Sequence, residues 1–153
     1  MSYDNPQREE YFFPSSAFGA ATETQTLIGP KGKVGLVRDI ITDLSADAVG
    51  TTTVPEIDVG TASGDFTYAR HRLGTTAILG NTAAATPYRA SALAASQPGN
   101  TGGVPPALND FPGHVALETA RIPKDTAFVM TRKAGVGGAP AGTGRTIVIV
   151  DWF

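Results

Sequence analysis

The residue types that most often bind metal ions or act as nucleophiles are scarce in this sequence. It contains two histidines, His71 and His114, and no cysteine. Two imidazoles within one chain cannot build the His-rich metal site of a β-barrel oxygenase, and thiolate sites and disulfides are excluded. We therefore predict no metal and no cofactor, with each histidine at an ordinary surface or strand-end position.

Carboxylates are more numerous, but their spacing indicates no acid–base pair. The candidates are Glu56, Asp58, Asp65, Asp110, Glu118 and Asp125. Glycosidase-like chemistry ranks low because it needs two carboxylates that converge in space. The Gly-x-Ser-x-Gly elbow of serine hydrolases is absent, and the glycine-rich residues 135–144 lack the Lys-Ser/Thr ending of a phosphate-binding loop. We predict that the protein is not an enzyme and has no catalytic residues.

The charge balance disfavours nucleic acid and membranes as partners. The 153 residues carry a formal net charge of -2, and charged residues make up 17% of the chain, below the usual ~25%. Nucleic acid and anionic membranes both require clustered lysine and arginine. No apolar run approaches the ~18 residues that span a bilayer, and the charged residues at 4 and 8–10 are atypical of a signal peptide. We expect synthesis in the cytoplasm and a surface that is partly covered in the working state.

Short β-like stretches, separated by Gly, Pro, Asn and Ser, must position any functional residues. They lie at 24–28, 33–42, 51–59, 66–73, 114–119, 126–133 and 145–152. This pattern predicts an all-β sandwich. We assign residues 23–153 to a single domain with a long loop excursion at about 81–111, in which a helical turn at 91–95 stays open. Residues 1–22 are predicted to form an extended N-terminal arm.

One stretch has two interpretations. Val37, Ile40, Ile41 and Leu44 have the i, i+3, i+4, i+7 spacing of an amphipathic helix. Neighbouring glycines and β-branched side chains favour a strand over residues 33–42. A short helix over residues 44–49 stays open.

The last two stretches predict a long hairpin whose tip is the glycine-rich segment 134–144. In its final strand, Ile147 and Ile149 point to one face, and the valines and Trp152 point to the other. Because both faces are apolar, we predict that this strand is central or covered by a partner. Asp151 lies on the isoleucine face, near a rim where water or a basic side chain reaches it.

Several side chains are candidate contacts for assembly. Exposed aromatic residues on an arm are costly unless they dock, either onto a neighbour or onto the domain itself. Two arginines on one strand face, with His71 opposite, either pair with acidic groups of a partner or form a solvated face. The candidates are Tyr11, Phe12, Phe13, Arg70, Arg72, Trp152 and Phe153.

Three turn-and-strand motifs span most of residues 29–153. They read GPKGK at 29–33 with VRDI at 37–40, VGTTTVPEIDVG at 49–60, and IPKDT at 122–126 through GGAPAG at 137–142 to VDWF at 150–153. Together they resemble the head decoration, or cement, proteins of tailed bacteriophages, a family of small jelly-roll proteins. The N-terminal arm and the 81–111 excursion lie outside the resemblance.

The resemblance implies a jelly-roll-like β-sandwich that forms a homotrimer on the outer surface of a virion capsid. There it binds the major capsid protein and stabilises the junctions between capsid subunits. Such a protein needs no active site and gains affinity from multivalent attachment. The alternative is a carbohydrate- or receptor-binding module of a head fibre or tail, since jelly rolls also serve lectins. Its aromatic platforms would be Tyr68, Tyr88 and Phe111.

Overall fold

The computed structural model describes residues 6–18, 22–50, 52–73, 87–90, 120–137 and 139–153. Over these ranges the chain forms β-strands and no helix, so this part of the chain has no helix that could cross a membrane. The strands are β1 (Gln7–Ala17), β2 (Glu23–Ile28), β3 (Gly35–Val49), β4 (Glu56–Gly60), β5 (Ala69–Arg72), β6 (Tyr88–Arg89), β7 (Ala127–Lys133) and β8 (Ala141–Trp152).

The strands form two four-stranded antiparallel sheets. The first has the order β1-β8-β3-β6 and the second the order β2-β7-β4-β5. Four of the pairings are nested, because β4 pairs with β5, β3 with β6, β2 with β7 and β1 with β8. This is the strand order of a jelly roll. The all-β sandwich predicted from the sequence is therefore confirmed.

The hairpin predicted from the last two stretches does not form. β7 pairs with β2 and β4, whereas β8 pairs with β1 and β3, so the connection between β7 and β8 crosses from one sheet to the other. Within this connection, Val136 instead pairs with Thr53. Two β-rich runs joined by a glycine-rich segment are compatible both with a hairpin and with a crossover between sheets. Which of the two forms depends on the strands with which each run pairs.

The segment predicted as an arm is part of the sandwich over residues 7–17. As β1 it pairs along the length of β8, from Gln7 opposite Trp152 to Ala17 opposite Thr143. The predicted 81–111 loop likewise contains β6, which pairs with β3 and places Tyr88 in the core. The predicted strand at 114–119 and the open helical turn at 91–95 lie outside the described residues.

The region with two interpretations is one long strand, β3, and the short helix over 44–49 does not form. Three irregularities, between Val37 and Asp39, between Leu44 and Ala46 and between Ala46 and Val49, shift its register against β8. A bulge adds one residue and thereby changes the face on which the following side chains lie. Because of the first irregularity, Val37, Ile40 and Leu44 all point into the core, with a spacing that resembles a helix.

The core lies between the sheets and continues to the end of the chain. Val148, Val150 and Trp152 of β8 are buried there, and the ring of Phe128 lies 6.0 Å from that of Trp152. The indole packs directly on glycine: a Cβ at Gly29 would lie 2.1 Å from it, closer than real contacts allow. The motif at 29–33 and the VDWF ending are therefore in direct contact, through Gly29 and the indole of Trp152.

Candidate interaction surface

The outward face of the first sheet carries a row of apolar side chains. Because side chains alternate along a strand, β8 sends its even-numbered residues into the core and its odd-numbered residues outward. Phe12 of β1, Ile147 of β8 and Ile41 of β3 are cross-strand neighbours on this outward face. Phe12 is 53% exposed, and both isoleucines are partly exposed. Ile149 is the next outward residue of β8 and extends the row along this strand, between Glu10 of β1 and Asp39 of β3.

We call Phe12, Ile41, Ile147 and Ile149 the apolar strip. β8 is central in its sheet, as predicted, so its outward isoleucines are flanked by β1 and β3. These neighbours cover them only in part. An aromatic ring more than half exposed beside two isoleucines is costly in water and is typical of a surface that binds a partner.

A buried carboxylate lies at one end of the apolar strip. Asp151, 2% exposed, accepts hydrogen bonds from Arg8 of β1 at 2.8 and 3.1 Å and from Arg38 of β3 at 2.8 Å. The hydrogen bonds from Arg8, together with the one from Arg38, lower the pKa of Asp151 although burial opposes the shift. The predicted position of Asp151, on the isoleucine face with a basic side chain in reach, is confirmed.

Two further ion pairs lie on the same sheet face outside the apolar strip. Arg145 binds Asp43 at 2.9 Å at the far end, where both side chains are exposed. Arg89 of β6 binds Asp39 of β3 at 3.0 Å. The exposed Arg145–Asp43 pair contributes little to stability, whereas Asp39 of the second pair is buried. Together the two pairs place charge on more than one side of the strip.

The outward face of the second sheet carries a charge network on β4, β5 and β7. Asp58 is fully buried and binds Arg70 through two hydrogen bonds of 2.6 and 3.0 Å and Lys133 at 2.6 Å. Glu56 binds Lys133 at 3.1 Å and Arg72 at 3.4 Å. Burial alone would lower the pKa of Lys133, but the hydrogen bonds to Asp58 and Glu56 raise it above its ordinary value.

The loop after β4 folds over this charge network. The Gly64 N–H donates to the Thr131 hydroxyl at 3.0 Å, and the guanidinium of Arg70 lies 3.6 Å from the centre of the Phe66 ring. Asp65 holds the loop in shape, because it accepts hydrogen bonds from the Thr61 N–H and from neighbouring hydroxyls. The Thr61 N–H is the main reason that the pKa of Asp65 is lowered to about 2.

This geometry assigns Arg70 and Arg72 a role inside the domain. Both arginines pair with Asp58 and Glu56 of the adjacent strand β4, Arg70 with its side chain 10% exposed and Arg72 with its side chain 33% exposed. His71, on the other side of β5, is buried next to the core. Both arginines are therefore engaged in cross-strand ion pairs within the domain, and their contact with a partner stays a prediction.

The predicted aromatic contacts divide between core and surface. Phe13 and Trp152 are buried in the core, so they pack inside the domain. Tyr11 also faces inward, with its ring 5.3 Å from that of Phe128, and burial raises its pKa above the ordinary value. Phe12 is the residue of the arm cluster that remains on the surface. The aromatic cluster therefore docks mainly onto its own domain.

The end of the chain is held in the sheet. Phe153 exchanges backbone hydrogen bonds with Val34, at 3.0 and 3.2 Å, and its ring faces the guanidinium of Arg121. Two aromatic platforms of the carbohydrate-binding alternative, Tyr68 and Tyr88, are buried in the core. Phe111 lies outside the described residues.

An arginine inside the sandwich ties β1 to the rest of the fold. Arg132 of β7, 2% exposed, donates to the carbonyl oxygens of Pro14 and Gly144 at 3.1 Å each. It also binds the Ser16 hydroxyl and the Glu23 carboxylate. One side chain thus joins β7 to β1, β2 and β8.

Sequence reasoning missed the apolar strip and the Arg8–Asp151–Arg38 cluster. Arg8 and Asp151 are separated by 143 positions, so no local pattern links them. The available signal was the alternation of β8, which indicated a second apolar face. It did not reveal that Phe12 and Ile41 would join that face.

Among the described residues, no group of three or more His, Cys, Asp or Glu side chains is placed to hold a metal ion. Comparison with protein-family models, curated proteins and solved structures finds no match to this chain. Function must therefore be argued from the surface itself.

Proposed function

We propose that this chain is a head decoration protein of a tailed bacteriophage. It is made in the host cytoplasm, binds the outside of the capsid as a homotrimer, and stabilises the junctions between major capsid subunits in the virion. The observation that carries the proposal is the apolar strip, in which Phe12 stands exposed beside Ile147, with Ile41 on the other side of Ile147. The three motifs that resemble this family, and the jelly-roll strand order, support it.

The mechanism is mechanical. Each copy covers capsid surface at a junction, and the contact area that it buries must be exposed again when the capsid subunits separate. A trimer presents three strips at once, so the second and third contacts form at a high effective concentration. Modest affinity at each strip then suffices for stable attachment.

The strip also explains why a partner would bind there with a preferred orientation. Phe12 is the kind of aromatic side chain that dominates binding energy when it fills a pocket on a partner. Ion pairs at the ends of the strip, Arg8–Asp151 and Arg145–Asp43, resemble the polar rim that surrounds the apolar centre of most protein interfaces.

Cosedimentation with undecorated phage capsid shells tests the proposal. We expect the wild-type chain to pellet with shells and to elute as a trimer in size-exclusion chromatography with light scattering. The Phe12→Ser variant should bind shells at least about tenfold more weakly, because truncation of an interface anchor costs more than ~1 kcal/mol per contact and a trimer multiplies the effect.

Ile28→Ser is the matched control for this experiment. Ile28 is 67% exposed but lies on β2, on the outward face of the other sheet. Its substitution should leave shell binding unchanged. A wild-type monomer that never pellets with shells contradicts the proposal, and selective binding on a glycan array would favour the receptor-binding alternative.

A further inference from the structure

Two exposed arginines share one buried carboxylate at the end of the apolar strip. The side chains of Arg8 and Arg38 are 60% and 47% exposed, whereas that of Asp151 is 2% exposed. They reach the carboxylate from opposite sides, because β1 and β3 are the two neighbours of β8. Asp151 therefore holds a pair of guanidinium groups at the protein surface.

The two guanidinium groups lie close together. Arg8 Nη2 and Arg38 Nε both donate to Asp151 Oδ2, at 3.1 and 2.8 Å, so these two nitrogens are within about 6 Å of each other. Each guanidinium has five N–H donors. Asp151 accepts two from Arg8 and one from Arg38, which leaves most of the donors available to a further acceptor.

The two guanidinium groups outnumber the carboxylate that they share. Glu10, opposite Ile149 on the same face, adds a second negative charge near Arg8, so the free hydrogen-bond donors, rather than a net charge, distinguish this site. The side chains of the strip next to it are apolar and include no further lysine or arginine. Nucleic acid requires an extended run of cations. A single carboxylate next to apolar groups fits this surface better, since arginine binds carboxylates with two parallel hydrogen bonds.

We propose that Arg8 and Arg38 form a binding site for a carboxylate of a partner protein. The carboxylate belongs to an acidic residue in an extended segment whose apolar side chains lie on the strip. Successive outward residues of β8 are about 6.6 Å apart, so the segment has apolar residues two and four positions from its acidic residue. The inference rests on the proposed function and specifies which part of the capsid protein is recognised.

A peptide titration followed by NMR tests the site directly. The probe is the blocked pentapeptide Asp-Thr-Val-Thr-Val, with Asn-Thr-Val-Thr-Val as its uncharged counterpart. We expect the acidic peptide to shift the Nε–Hε signals of Arg8 and Arg38 and the methyl signals of Ile147 and Ile149. The Asn peptide should bind at least about fivefold more weakly, in line with the loss of a charge-assisted hydrogen bond.

Arg38→Gln is the informative variant, because Arg8 still pairs with Asp151 and the fold is retained. It should weaken the acidic peptide about fivefold and leave the Asn peptide unchanged. Arg145→Gln removes the same charge from the same face outside the site and serves as control. Equal binding of the two peptides, no binding at millimolar peptide, or equal weakening by Arg145→Gln overturns the inference.

Shell binding separates this inference from the proposed function. If wild type and Arg38→Gln pellet equally well with shells, the carboxylate site is refuted and the proposed function stands. If the wild type does not pellet at all, the proposed function fails, and the peptide titration still decides on the arginine pair by itself.

Discussion

Replacement of the buried Arg132 by methionine should destabilise the whole sandwich. Methionine has a similar length and fills most of the space, but it cannot donate hydrogen bonds. The change leaves the carbonyl oxygens of Pro14 and Gly144 and the carboxylate of Glu23 without their donor. It also removes the cation that lies 5.2 and 5.0 Å from the ring centres of Phe13 and Phe18.

The size of the loss in unfolding free energy depends on how exposed the former partners of Arg132 are. Breaking a buried ion pair by removing one partner costs ~3–5 kcal/mol. Glu23 is 40% exposed, so water can replace part of the lost interaction and the cost falls at the lower limit. We expect the free energy of unfolding to decrease by about 3 kcal/mol, whereas Arg145→Met, which breaks an exposed pair, should cost less than ~1 kcal/mol.

Urea denaturation followed by Trp152 fluorescence measures this difference. With a typical m-value of ~2 kcal/mol/M, the midpoint for Arg132→Met should fall by about 1.5 M without a change in m. Arg132→Lys should lie between the variant and wild type, since lysine keeps the charge but not the planar array of donors. A loss no larger than that of Arg145→Met would refute the role of Arg132 as the link between strands.

Three further outcomes test the packing and the charges. Gly35→Ala should lower the melting temperature, because its Cβ would lie 2.6 Å from the Trp152 ring. The resulting strain is ~1–3 kcal/mol, and a smaller residue at position 152 should relieve most of this strain. Thr42→Val should lower the free energy of unfolding by ~1–3 kcal/mol, because it leaves the buried Thr146 hydroxyl, 3.1 Å away, without its partner. The double variant with valine at both positions should be nearly neutral. Equal losses in the single and double variants contradict this. The folded-state pKa of Asp65 is lowered to about 2. The ionised carboxylate therefore stabilises the fold at neutral pH, and this contribution is lost as pH falls from about 4 to about 2. Asp65→Asn should accordingly reduce the loss of unfolding free energy over this pH range.

Much of the fold could be predicted because local patterns carry it. The alternation in β8 and the β-branched residues of β3 indicate strands without reference to any partner. Pairing could not be predicted in the same way. β7 and β8 are adjacent along the chain but lie in different sheets, while Gln7 and Trp152, at opposite ends of the described chain, are direct neighbours.

The candidate surface was predicted only in part. The second apolar face of β8 was visible in the sequence, and Phe12 was among the candidate contacts. The ion pairs of Arg70 and Arg72 within the domain were not predicted, because their acidic partners, Asp58 and Glu56, become neighbours only when β4 pairs with β5. The distinction between Phe12 and Phe13, one exposed and one buried, likewise depends on the register of β1 against β8.

The sequence by itself determined the all-β class, the two apolar faces of the last strand and the exclusion of thiol chemistry. These follow from composition and from a period of two, which are local properties. Only the tertiary structure decided that the N-terminal segment is a strand of the sandwich and that Arg8 and Arg38 meet on Asp151. Such contacts join residues more than a hundred positions apart, and their formation depends on the free energy of the whole pairing pattern rather than on any one stretch.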